Sequence, residues 1–497
     1  MRWTMLIIGA FYGCNNDADK SDTGGDTDTD TDSDTDADTD SDTDADTDAD
    51  TDDTDPMATT GELEMAVLAS GLSDPFEVIP GPDGYLWITE RTAGRVTRVS
   101  MTDGSSVPVL TVPDVLITPM THDGLLGMAM APDFLAGAAE NYVWLAYTYD
   151  ADPAADVSLR QAKIVRYTWD DVAETLVDPL VLISGMPASN DHNSGRLLYG
   201  PDGELYYSIG DGGKNQLANY CLPNEAQRLP TQSEVSSTDW IAYQGKVLRL
   251  ETDGAIPMDN PEIDGVRSHV WTYGHRNAQG LVFAPDGTLY ESEHGPKSDD
   301  ELNELTAGTN YGWPRVAGFQ DDLAYVYGNW SESTNPPCES LVYSDFVIPP
   351  SVPTLEESTF TEPFQEPIRT FYTVADDYEF QDPNCAENEL YFLCYPTLAP
   401  SSLAIYDGQA IPFLGDSILI SSLKLGSLYR LDLNDPAAGV PELLFHTVDR
   451  YRRVSVSPDG ATLYIATDAG GFALDDDGTP TDVLTHVGSI LTLKLAP

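Results

Sequence analysis

A short phrase of turn residues followed by an apolar, aromatic strand repeats along the chain from about residue 62. In four clear copies a Pro-Asp-Gly turn precedes aromatic and β-branched residues, and these turns occupy 81–84, 200–203, 284–287 and 457–460. Two weaker copies begin at Pro132 and Leu414. Pro and Gly are typical of tight turns, and the residues that follow favour strands. Six such units over roughly 440 residues predict an all-β fold, a closed six-bladed β-propeller.

Each predicted blade averages about 73 residues, which exceeds the ~40–45 residues of a minimal four-stranded blade. The excess predicts long loops, and sites are usually built on long loops of a rigid scaffold. A pair of β-sandwiches is the alternative, which six in-phase repeats disfavour. The propeller is assigned to residues 57–497.

The first 56 residues differ in composition and are predicted to lie outside the propeller. Residues 1–14 combine Arg2, an apolar run at 5–11 and Gly13-Cys14, and they resemble a bacterial lipoprotein signal in which Cys14 is lipidated. An ordinary short signal or a misplaced start codon is the alternative. Residues 15–56 are an Asp/Thr-rich tract with almost nothing apolar to bury, which predicts a disordered linker. Calcium binding by the alternating Asp residues is the less favoured interpretation.

The net negative charge of the chain excludes one class of binding partner. The chain carries 24 basic and 83 acidic residues, a net charge of −59, and the acidity extends beyond the Asp-rich tract. Such a field repels phosphate backbones, so nucleic-acid binding is excluded. No apolar stretch reaches the ~18 residues of a spanning helix, so a lipid on Cys14 is the predicted membrane attachment. We expect an exported protein, lipid-anchored to a bacterial membrane and facing the periplasm or the cell exterior.

Cysteine usage agrees with export. If Cys14 carries lipid, four of the five cysteines remain, an even number suited to an oxidising compartment. Cys385 and Cys394 are close in sequence and are predicted to pair. Cys221 and Cys338 form the leftover pair, and whether they pair is left open.

Chemistry-bearing residues cluster beside the repeated units. The chain has no dinucleotide fingerprint, phosphate loop, His-Glu-x-x-His or nucleophile elbow, so NAD-linked hydride transfer and zinc proteolysis have no support. Instead, polar clusters lie at 190–196, 210–216, 274–277, 293–296, 422–424 and 450–452. Equivalent positions on different blades converge near a propeller axis. Arg and Lys meeting there predict an anionic ligand with several carboxylates or phosphates, although any single Arg is more often a surface ion pair.

From about residue 64 onward the chain resembles the soluble PQQ-dependent glucose dehydrogenases of the glucose/sorbosone dehydrogenase family. The motifs that carry the resemblance keep their order and nearly their spacing along the chain. They are Asp191-His192-x-Ser194-Gly195-Arg196-Leu197, Gly274-His275-Arg276-Asn277-x-Gln279-Gly280-Leu281, Asn310-Tyr311-Gly312-Trp313-Pro314, Thr397-x-Ala399-Pro400-Ser401-Ser402 and Arg450-Tyr451-Arg452. The family is a six-bladed propeller with PQQ, a tricarboxylic ortho-quinone, over its axis.

The resemblance implies a role for each matching residue. His192 would be the general base and Asp211 the carboxylate that orients it. Gln216 and Leu217 would contact the sugar. Calcium touching PQQ would bind the backbone carbonyls of Gly295 and Pro296, since carbonyl oxygen is a hard ligand that suits this ion. The residues implied to surround PQQ are Arg276, Asn277, Thr397, Lys424, Arg450 and Arg452.

Departures from the family pattern concentrate on the sugar side. His122 and His294 replace two Gln residues, one beside the sugar and quinone and one just before the calcium-binding Gly-Pro. Tyr395 replaces the stacking Trp beside the predicted disulfide, Phe392 replaces a neighbouring Tyr, and the loop from 385 to 394 is two residues longer. We therefore expect PQQ to be retained and the preference among aldoses to be broad.

The resemblance also implies calcium sites away from PQQ, associated with a homodimer. The matching positions are Glu301, Tyr311, Ala317, Phe319, Asp321 and Glu356. Some of these residues would bind through their backbone carbonyls, so Phe in place of Tyr need not abolish binding.

The functional prediction is PQQ- and calcium-dependent oxidation of an aldose at C1 to the aldonolactone, with electrons passed to an external acceptor. No haem motif occurs in the chain, so the acceptor is a separate molecule. Two alternatives remain: a non-catalytic cell-surface propeller that binds carbohydrate, and a calcium-dependent lactone hydrolase. A hydrolase of that kind needs several carboxylates around an axial calcium, whereas the predicted axis is rich in Arg, Lys and His.

Overall fold

Residues 63–137, 141–386 and 390–496 are described by the computed structural model. The predicted signal at 1–14, the linker at 15–56 and the lipidation of Cys14 lie outside the described residues. Within them, no helix has the length and apolar character needed to cross a bilayer.

Six four-stranded antiparallel sheets follow one another along the described chain, which confirms the six-bladed propeller. Strand β1 (Leu63–Ala69) comes first and belongs to the last sheet. Blade 1 is β2 (Pro75–Pro80), β3 (Tyr85–Glu90), β4 (Arg95–Ser100) and β5 (Ser106–Thr111). Blade 2 is β6 (Leu125–Met130), β7 (Tyr142–Asp150), β8 (Arg160–Asp170) and β9 (Thr175–Pro187). Blade 3 is β10 (Leu197–Tyr199), β11 (Leu205–Ile209), β12 (Lys246–Leu250) and β15 (Val270–Tyr273), with a hairpin of β13 (Glu262–Ile263) and β14 (Val266–Arg267) inserted before β15.

The second half of the chain continues this order. Blade 4 is β16 (Ala278–Phe283), β17 (Leu289–Glu293), β18 (Asp300–Glu304) and β21 (Arg369–Phe371), and β19 (Tyr327–Gly328) pairs with β20 (Thr354–Leu355) in the loop before β21. Blade 5 is β22 (Pro400–Tyr406), β23 (Ser417–Ser422), β24 (Ser427–Asp432) and β25 (Glu442–His446). Blade 6 contains β26 (Tyr451–Val456), β27 (Leu463–Thr467) and β30 (Ile490–Leu495), with β28 (Ala473–Leu474) and β29 (Pro480–Thr481) as a separate hairpin.

Helices are short and lie in loops. The described α-helices are α1 (Gln232–Ser236), whose Thr231 and Glu234 form a reciprocal capping box, and α2 (Tyr391–Cys394). The 3-10 turns span Leu217–Asn219, Ile241–Tyr243, Trp330–Glu332, Cys338–Ser340, Glu357–Thr359 and Pro383–Cys385.

The ring is closed by pairing the two ends of the described chain. Strand β1 adds to the outer edge of blade 6 by antiparallel pairing with β30, from Leu63 opposite Leu495 to Ala69 opposite Ile490. This pairing makes the last blade from both ends of the described chain, so the ring is held closed by main-chain hydrogen bonds.

The repeated sequence phrase forms the turn between the first and second strands of a blade. In the four clear copies the side chain of Asp83, Asp202, Asp286 or Asp459 accepts the amide two residues later at 2.9–3.2 Å. The Gly that follows each Asp has a positive φ of 69–92°, a conformation that glycine adopts without a steric penalty. The sequence phrase is therefore a side-chain-capped turn that recurs because the blade recurs.

The core consists of apolar clusters between neighbouring blades. Trp87, Phe134 and Trp169 pack together between blades 1 and 2, and similar clusters fill the other blade interfaces. The first strands of the sheets line the axis and contact one another. Side-chain hydroxyls join the second strand of one blade to the first strand of the next: Thr89 of β3 donates to the carbonyl of Leu126 in β6, and Ser208 of β11 donates to that of Ala278 in β16.

Arg196 fills the axis with charge rather than with apolar side chains. It is fully buried, and its guanidinium pairs with Glu77 of blade 1 at 2.7 Å. It also donates to the carbonyls of Gln279 in blade 4 and Ser401 in blade 5 at 3.0 and 3.1 Å. Arg453 of blade 6 approaches the second oxygen of Glu77 at 2.7 Å. This single arginine thus joins blades across the ring, so its role is structural.

Candidate active site

The polar clusters predicted from the sequence gather at one end of the axis because of where they lie in each blade. They occupy the loop before the first strand, the loop after the second strand, or the start of a first strand. The chain runs along the first strand to the Pro-Asp-Gly turn and returns along the second, so both positions come to the end opposite that turn. We call this end of the ring the loop face.

His192 and Asp211 meet on the loop face of blade 3. His192 lies before β10 and Asp211 lies after β11, and the Nδ1 atom of His192 is 2.8 Å from Oδ1 of Asp211. The backbone of His192 has φ of +43°, and a Cβ added at Gly210 would lie 2.0 Å from the carbonyl oxygen of His192. A non-glycine residue in this conformation is strained, and such strain concentrates at functional sites.

Asp211 is fully buried and accepts hydrogen bonds on both oxygens. Oδ1 accepts the Gly213 amide at 2.8 Å, and Oδ2 accepts Nε1 of Trp313 at 2.8 Å and Nδ2 of Asn224 at 3.0 Å. A carboxylate with this many donors only accepts, so Nδ1 of His192 carries the proton. Nε2 of His192 is then the unprotonated nitrogen, available as a base.

Four cationic side chains surround the same end of the axis. Arg276 donates to Gln216 at 3.0 Å and to the carbonyl of His294 at 3.2 Å. Arg452 and Arg450 both pair with Asp468, at 2.8 and 3.1 Å. Lys424 donates to a backbone carbonyl, that of Tyr395.

Burial shifts the ionisation of His294 and Lys424, and the neighbouring cations add to the shift of His294. Burial and the charges of Arg276, His192 and Arg452 hold the pKa of His294 well below its usual range, so the ring is neutral. Its Nε2–H donates to the carbonyl of Pro400 at 2.9 Å. Burial lowers the pKa of Lys424 to about 7, although the nearby carboxylate of Asp300 acts in the opposite direction. The loop face therefore holds concentrated positive charge at the centre of a strongly acidic protein.

A group that was not singled out from the sequence fixes the loop of Arg276 and Asn277. Both Oε atoms of Glu293 are used: Oε2 accepts the amides of Arg276 and Asn277, the second at 3.1 Å, and Oε1 lies 3.2 Å from Nδ1 of His275. Glu293 lies in one of the polar clusters noted in the sequence, at 293–296. Its hydrogen-bond partners lie in another cluster, in the loop between β15 and β16, and the sequence did not connect the two. Asn277 in turn accepts from Ser194 at 3.2 Å.

The calcium-binding carbonyls expected at Gly295 and Pro296 lie in a tight loop after β17. The amide of Gly295 donates to Asp300 at 2.9 Å, and a Cβ at Gly295 would lie 1.8 Å from the carbonyl oxygen of Ser298. The same Asp300 accepts the amide of Ala399 at 2.7 Å. Asp300 thus holds together the loops of blades 4 and 5, another role that sequence alone did not reveal.

The residues expected to contact a substrate lie on the same loop face, beside Arg276 and Asp211. Gln216 bridges Arg276 and Asp211, with its Nε2 3.4 Å from the Asp211 carboxylate, and Leu217 is half exposed. His122 lies close to His192: its Nδ1 is 3.0 Å from Oδ1 of Asp191 and accepts the His192 amide at 3.2 Å.

A cleft of about 120 Å³ adjoins Gln216 and Pro296. It is also lined by Lys214, Lys297, Tyr343 and Asp345. Tyr395 lies near the same loop, with its hydroxyl 3.5 Å from Asp345, whereas Thr397 donates only locally, to the carbonyl of Tyr395 at 3.5 Å. Phe392, beside them, is 52% exposed.

Both cysteine pairs form disulfides. Cys385–Cys394 confirms the pairing predicted from proximity, and it lies directly before Tyr395. Cys221–Cys338, which the sequence left open, joins the loop after β11 to the long insertion before β21.

The positions expected to hold further calcium surround one loop. Glu301 is buried and accepts the Gly318 amide at 2.7 Å, and Glu357 accepts the amides of Ala317 and Asp322 at 2.9 and 3.0 Å. Phe319 and Asp321 lie on the same loop, whereas the hydroxyl of Tyr311 donates to the carbonyl of Glu304 at 2.7 Å. Glu356 is exposed. Of the two neighbouring residues Glu356 and Glu357, the one whose carboxylate reaches this loop is Glu357, because Glu356 precedes the 3-10 turn and Glu357 begins it.

Comparisons with known proteins agree over nearly all of the described chain. Residues 72–365 and 375–474 match the family model "Glucose / Sorbosone dehydrogenase". The chain is 42% identical over 444 residues to "Quinoprotein glucose dehydrogenase B" of Acinetobacter calcoaceticus, covering 87% of this chain and 91% of that protein. It is 26% identical over 418 residues to "Aldose sugar dehydrogenase YliI" of Escherichia coli, covering 83% of this chain and 91% of that protein. The PQQ-bound aldose sugar dehydrogenase of Streptomyces coelicolor superposes with a TM-score of 0.57 at 25% identity, covering 88% of this chain and all of that one.

Proposed function

The chain belongs to the glucose/sorbosone dehydrogenase family, and on this premise we propose that it is a quinoprotein aldose dehydrogenase. It oxidises an aldose such as glucose at C1 to the aldonolactone, depends on PQQ and calcium, and passes electrons to an external acceptor. The observation that carries the proposal is the His192–Asp211 pair, held at 2.8 Å on the same loop face as Arg276, Arg452 and Lys424.

The loop face fits PQQ by charge. PQQ carries three carboxylates, and Arg276, Lys424, Arg450 and Arg452 offer guanidinium and ammonium donors suited to them. Asp468 neutralises only one of the two arginines that it pairs with, so positive charge remains for a ligand. Asn277 and Thr397 complete the polar frame. The neutral ring of His294 borders it, and His122 borders it on the sugar side. When bound, PQQ supplies the ortho-quinone that accepts hydride.

His192 performs the proton chemistry. Asp211 fixes its Nδ1–H, so the Nε2 lone pair takes the proton from the anomeric hydroxyl as C1 is oxidised. The two oxygens of Asp211 accept from Trp313, Asn224 and Gly213, and this carboxylate stabilises the imidazolium that forms. Gln216, Leu217 and Tyr395 border the sugar.

Calcium binding is proposed at two places. The carbonyls of Gly295 and Pro296, in the loop held by Asp300, would hold the ion next to the cofactor, where a cation polarises a quinone oxygen. Glu301, Tyr311, Ala317, Phe319 and Asp321 would form further sites, with Glu357 as the carboxylate in place of Glu356. A homodimer associated with these sites is proposed with them and is tested by light scattering with and without chelator.

Export is proposed from the two disulfides, because such bonds persist in oxidising compartments. Lipid anchoring through Cys14, in a bacterial membrane facing the periplasm or exterior, remains a proposal from the sequence. Mass spectrometry of the N-terminal peptide from membranes tests it, because an acylated Cys14 has a distinct mass.

The deciding experiment is dye reduction by the purified full-length protein. PQQ and calcium are added singly and together, against a panel of aldoses. We expect turnover only with both additions, on several aldoses rather than on glucose alone. A His192→Asn variant should bind PQQ but lose activity, whereas His446→Asn, a change at an Asp-paired histidine on β25, should retain it.

Two results would overturn the proposal. No PQQ-dependent quenching of tryptophan fluorescence and no turnover would favour a surface propeller that binds carbohydrate. Calcium-dependent lactone hydrolysis without dye reduction would favour the hydrolase. Strict dependence on glucose would refute only the broad substrate preference.

A further inference from the structure

The proton that His192 accepts needs a way out of the site. The side chain of His192 is 8% exposed, its Nδ1 is blocked by Asp211, and its Nε2 faces the bound sugar. A base that kept its proton would act only once, so turnover requires a further acceptor for the proton.

Asp191 and His122 form a row that leads from His192 to solvent. Oδ1 of Asp191 lies 3.8 Å from Nε2 of His192 and 3.0 Å from Nδ1 of His122. The exposed fraction of the side chains rises along this row, from 8% at His192 to 24% at Asp191 and 56% at His122. The row therefore begins at the reacting atom and ends in water.

The backbone around His122 is held in place from several sides. Its amide donates to the carbonyl of Asn190 at 3.0 Å, and its carbonyl accepts Nδ2 of Asn193 at 3.1 Å. Arg91 donates to the carbonyls on either side of His122, at 3.0 and 3.2 Å. His122 is therefore locked to the loop that carries His192, although its ring is exposed. A surface histidine without a role would not need such support.

We propose that Asp191 and His122 form the route by which the proton taken up by His192 leaves to solvent, so that His122 is a second proton-transfer residue for this site. The inference rests on the proposed function, because the proton originates from the sugar hydroxyl. His122 thereby has a role in proton transfer in addition to its place at the border of the cofactor and sugar site.

One proton moves along this row in each turnover. The sugar O–H bond breaks and its proton bonds to Nε2 of His192. It then passes to Oδ1 of Asp191 and on to the unprotonated Nδ1 of His122, whose Nε2–H is released to water or buffer. His192 and Asp191 return to their starting forms, and His122, whose side chain is 56% exposed, regains its unprotonated Nδ1 and its Nε2–H by proton exchange with water. The electrons of the oxidation take no part in this row.

Geometry sets the difficulty of each step. The step from Asp191 to His122 spans 3.0 Å, so a proton on Oδ1 of Asp191 is within hydrogen-bond distance of Nδ1 of His122. The step from His192 spans 3.8 Å, so the imidazolium must move about 1 Å toward the carboxylate to reach hydrogen-bond length. Although burial acts to raise it, the contacts with His192 and His122 hold the pKa of Asp191 well below its usual range. The transfer from His192 to Asp191 is therefore the uphill step, and the transfer from Asp191 to His122 is the downhill one.

The test uses the full-length protein loaded with PQQ and calcium, and the variant His122→Gln. Glutamine keeps a donor for Asp191 but cannot take up a proton. A single turnover of the variant, followed by the absorbance of PQQ in a stopped-flow instrument, should not respond to added imidazole, because His192 takes up one proton and need not release it. Multiple turnover in weak buffer at saturating dye should fall about 10-fold, a modest part of the ~10²–10⁴-fold that positioned proton-transfer groups supply. Added imidazole should restore the lost rate. His446→Gln, at the exposed pair with Asp476, is the matched control and should respond to neither condition.

Each other outcome overturns the inference. Unchanged multiple turnover in weak buffer means that the proton leaves by another path. A loss in multiple turnover that imidazole does not restore means that His122 acts on the sugar or the loop and not in the release of the proton. A wild-type protein without PQQ-dependent turnover overturns the proposed function, and this inference with it.

Discussion

Replacing Asp211 with Asn tests whether this carboxylate sets the tautomer of His192. The change keeps the size of the side chain and exchanges one accepting oxygen for a donating NH2 group. The new amide has two orientations. If NH2 takes the place of Oδ2, it faces the donors of Trp313 and Asn224, which are 2.8 and 3.0 Å away. If NH2 takes the place of Oδ1, it faces the Gly213 amide and Nδ1 of His192, both at 2.8 Å.

The cost of each orientation follows from the donors that lose an acceptor. The first leaves two buried donors opposed, which costs about 2–6 kcal/mol at about 1–3 kcal/mol each. The second opposes only the Gly213 amide, because His192 can move its proton from Nδ1 to Nε2. The second orientation is thus favoured by about 1–3 kcal/mol, and it leaves His192 without a lone pair at the reacting nitrogen. In a Ser-His-Asp enzyme the same exchange lowers kcat about 10⁴-fold through the wrong tautomer.

We therefore expect Asp211→Asn to fold, to bind PQQ, and to lose about 10²–10⁴-fold in kcat. The assay is dye reduction after reconstitution with PQQ and calcium, with thermal unfolding measured in parallel. Asp202→Asn is the control: this carboxylate accepts from Tyr206 and Arg249, both at 2.9 Å, at the opposite end of β10 and β11. It should lower stability without lowering kcat. Activity close to wild type in Asp211→Asn would refute the tautomer argument.

Three further outcomes follow from the contacts described. Replacing Cys221 and Cys338 with Ser opens a link across 117 residues, and we expect urea unfolding to show a loss of about 3–5 kcal/mol. Glu293→Ala removes the acceptor for two amides, so the PQQ Kd from fluorescence titration should rise about 10-fold or more, at about 1–3 kcal/mol per unpaired donor. Lys424, with its pKa lowered to about 7 by burial, is uncharged above that pH in the unliganded protein. PQQ carboxylates favour the charged form, so binding takes up a proton and Kd should rise about tenfold per pH unit above about 7, whereas Lys424→Arg should flatten this slope.

The fold was predictable because its signal is local. Each clear turn needs an Asp to accept the amide two residues later and a Gly at positive φ, and these requirements act within four residues. The same turn residues therefore recur in the sequence where such a turn joins the first two strands of a blade. The pairing of β1 with β30 was not predicted. The two strands are more than 400 residues apart, so no tight turn connects them and no local sequence signal marks the pair.

The site was predictable only in part, because sequence marks residue types and not their partners. His192, Asp211 and the cations were found from the clusters and the resemblance, and they do share the loop face. Arg196, in the same cluster as His192, instead fills the axis, where it meets Glu77 from 119 positions away. The contact of Glu293 with the preceding loop depends on packing of loops, which neighbouring residues do not encode.

Asp468 and Asp300 offset the repulsion among the clustered cations of the loop face. A site with four clustered cations is costly to hold without its ligand, since like charges repel and burial penalises each of them. Arg450 and Arg452 share Asp468, whose own pKa falls to about 2 because the two arginine charges outweigh its burial. Lys424 faces Asp300. Each acid sits beside its cation and also supports a loop or strand of the frame, so the donors are fixed in place before a ligand arrives. A preorganised frame of this kind lowers the cost of ordering on binding, which explains why acidic residues belong at the centre of an anion site.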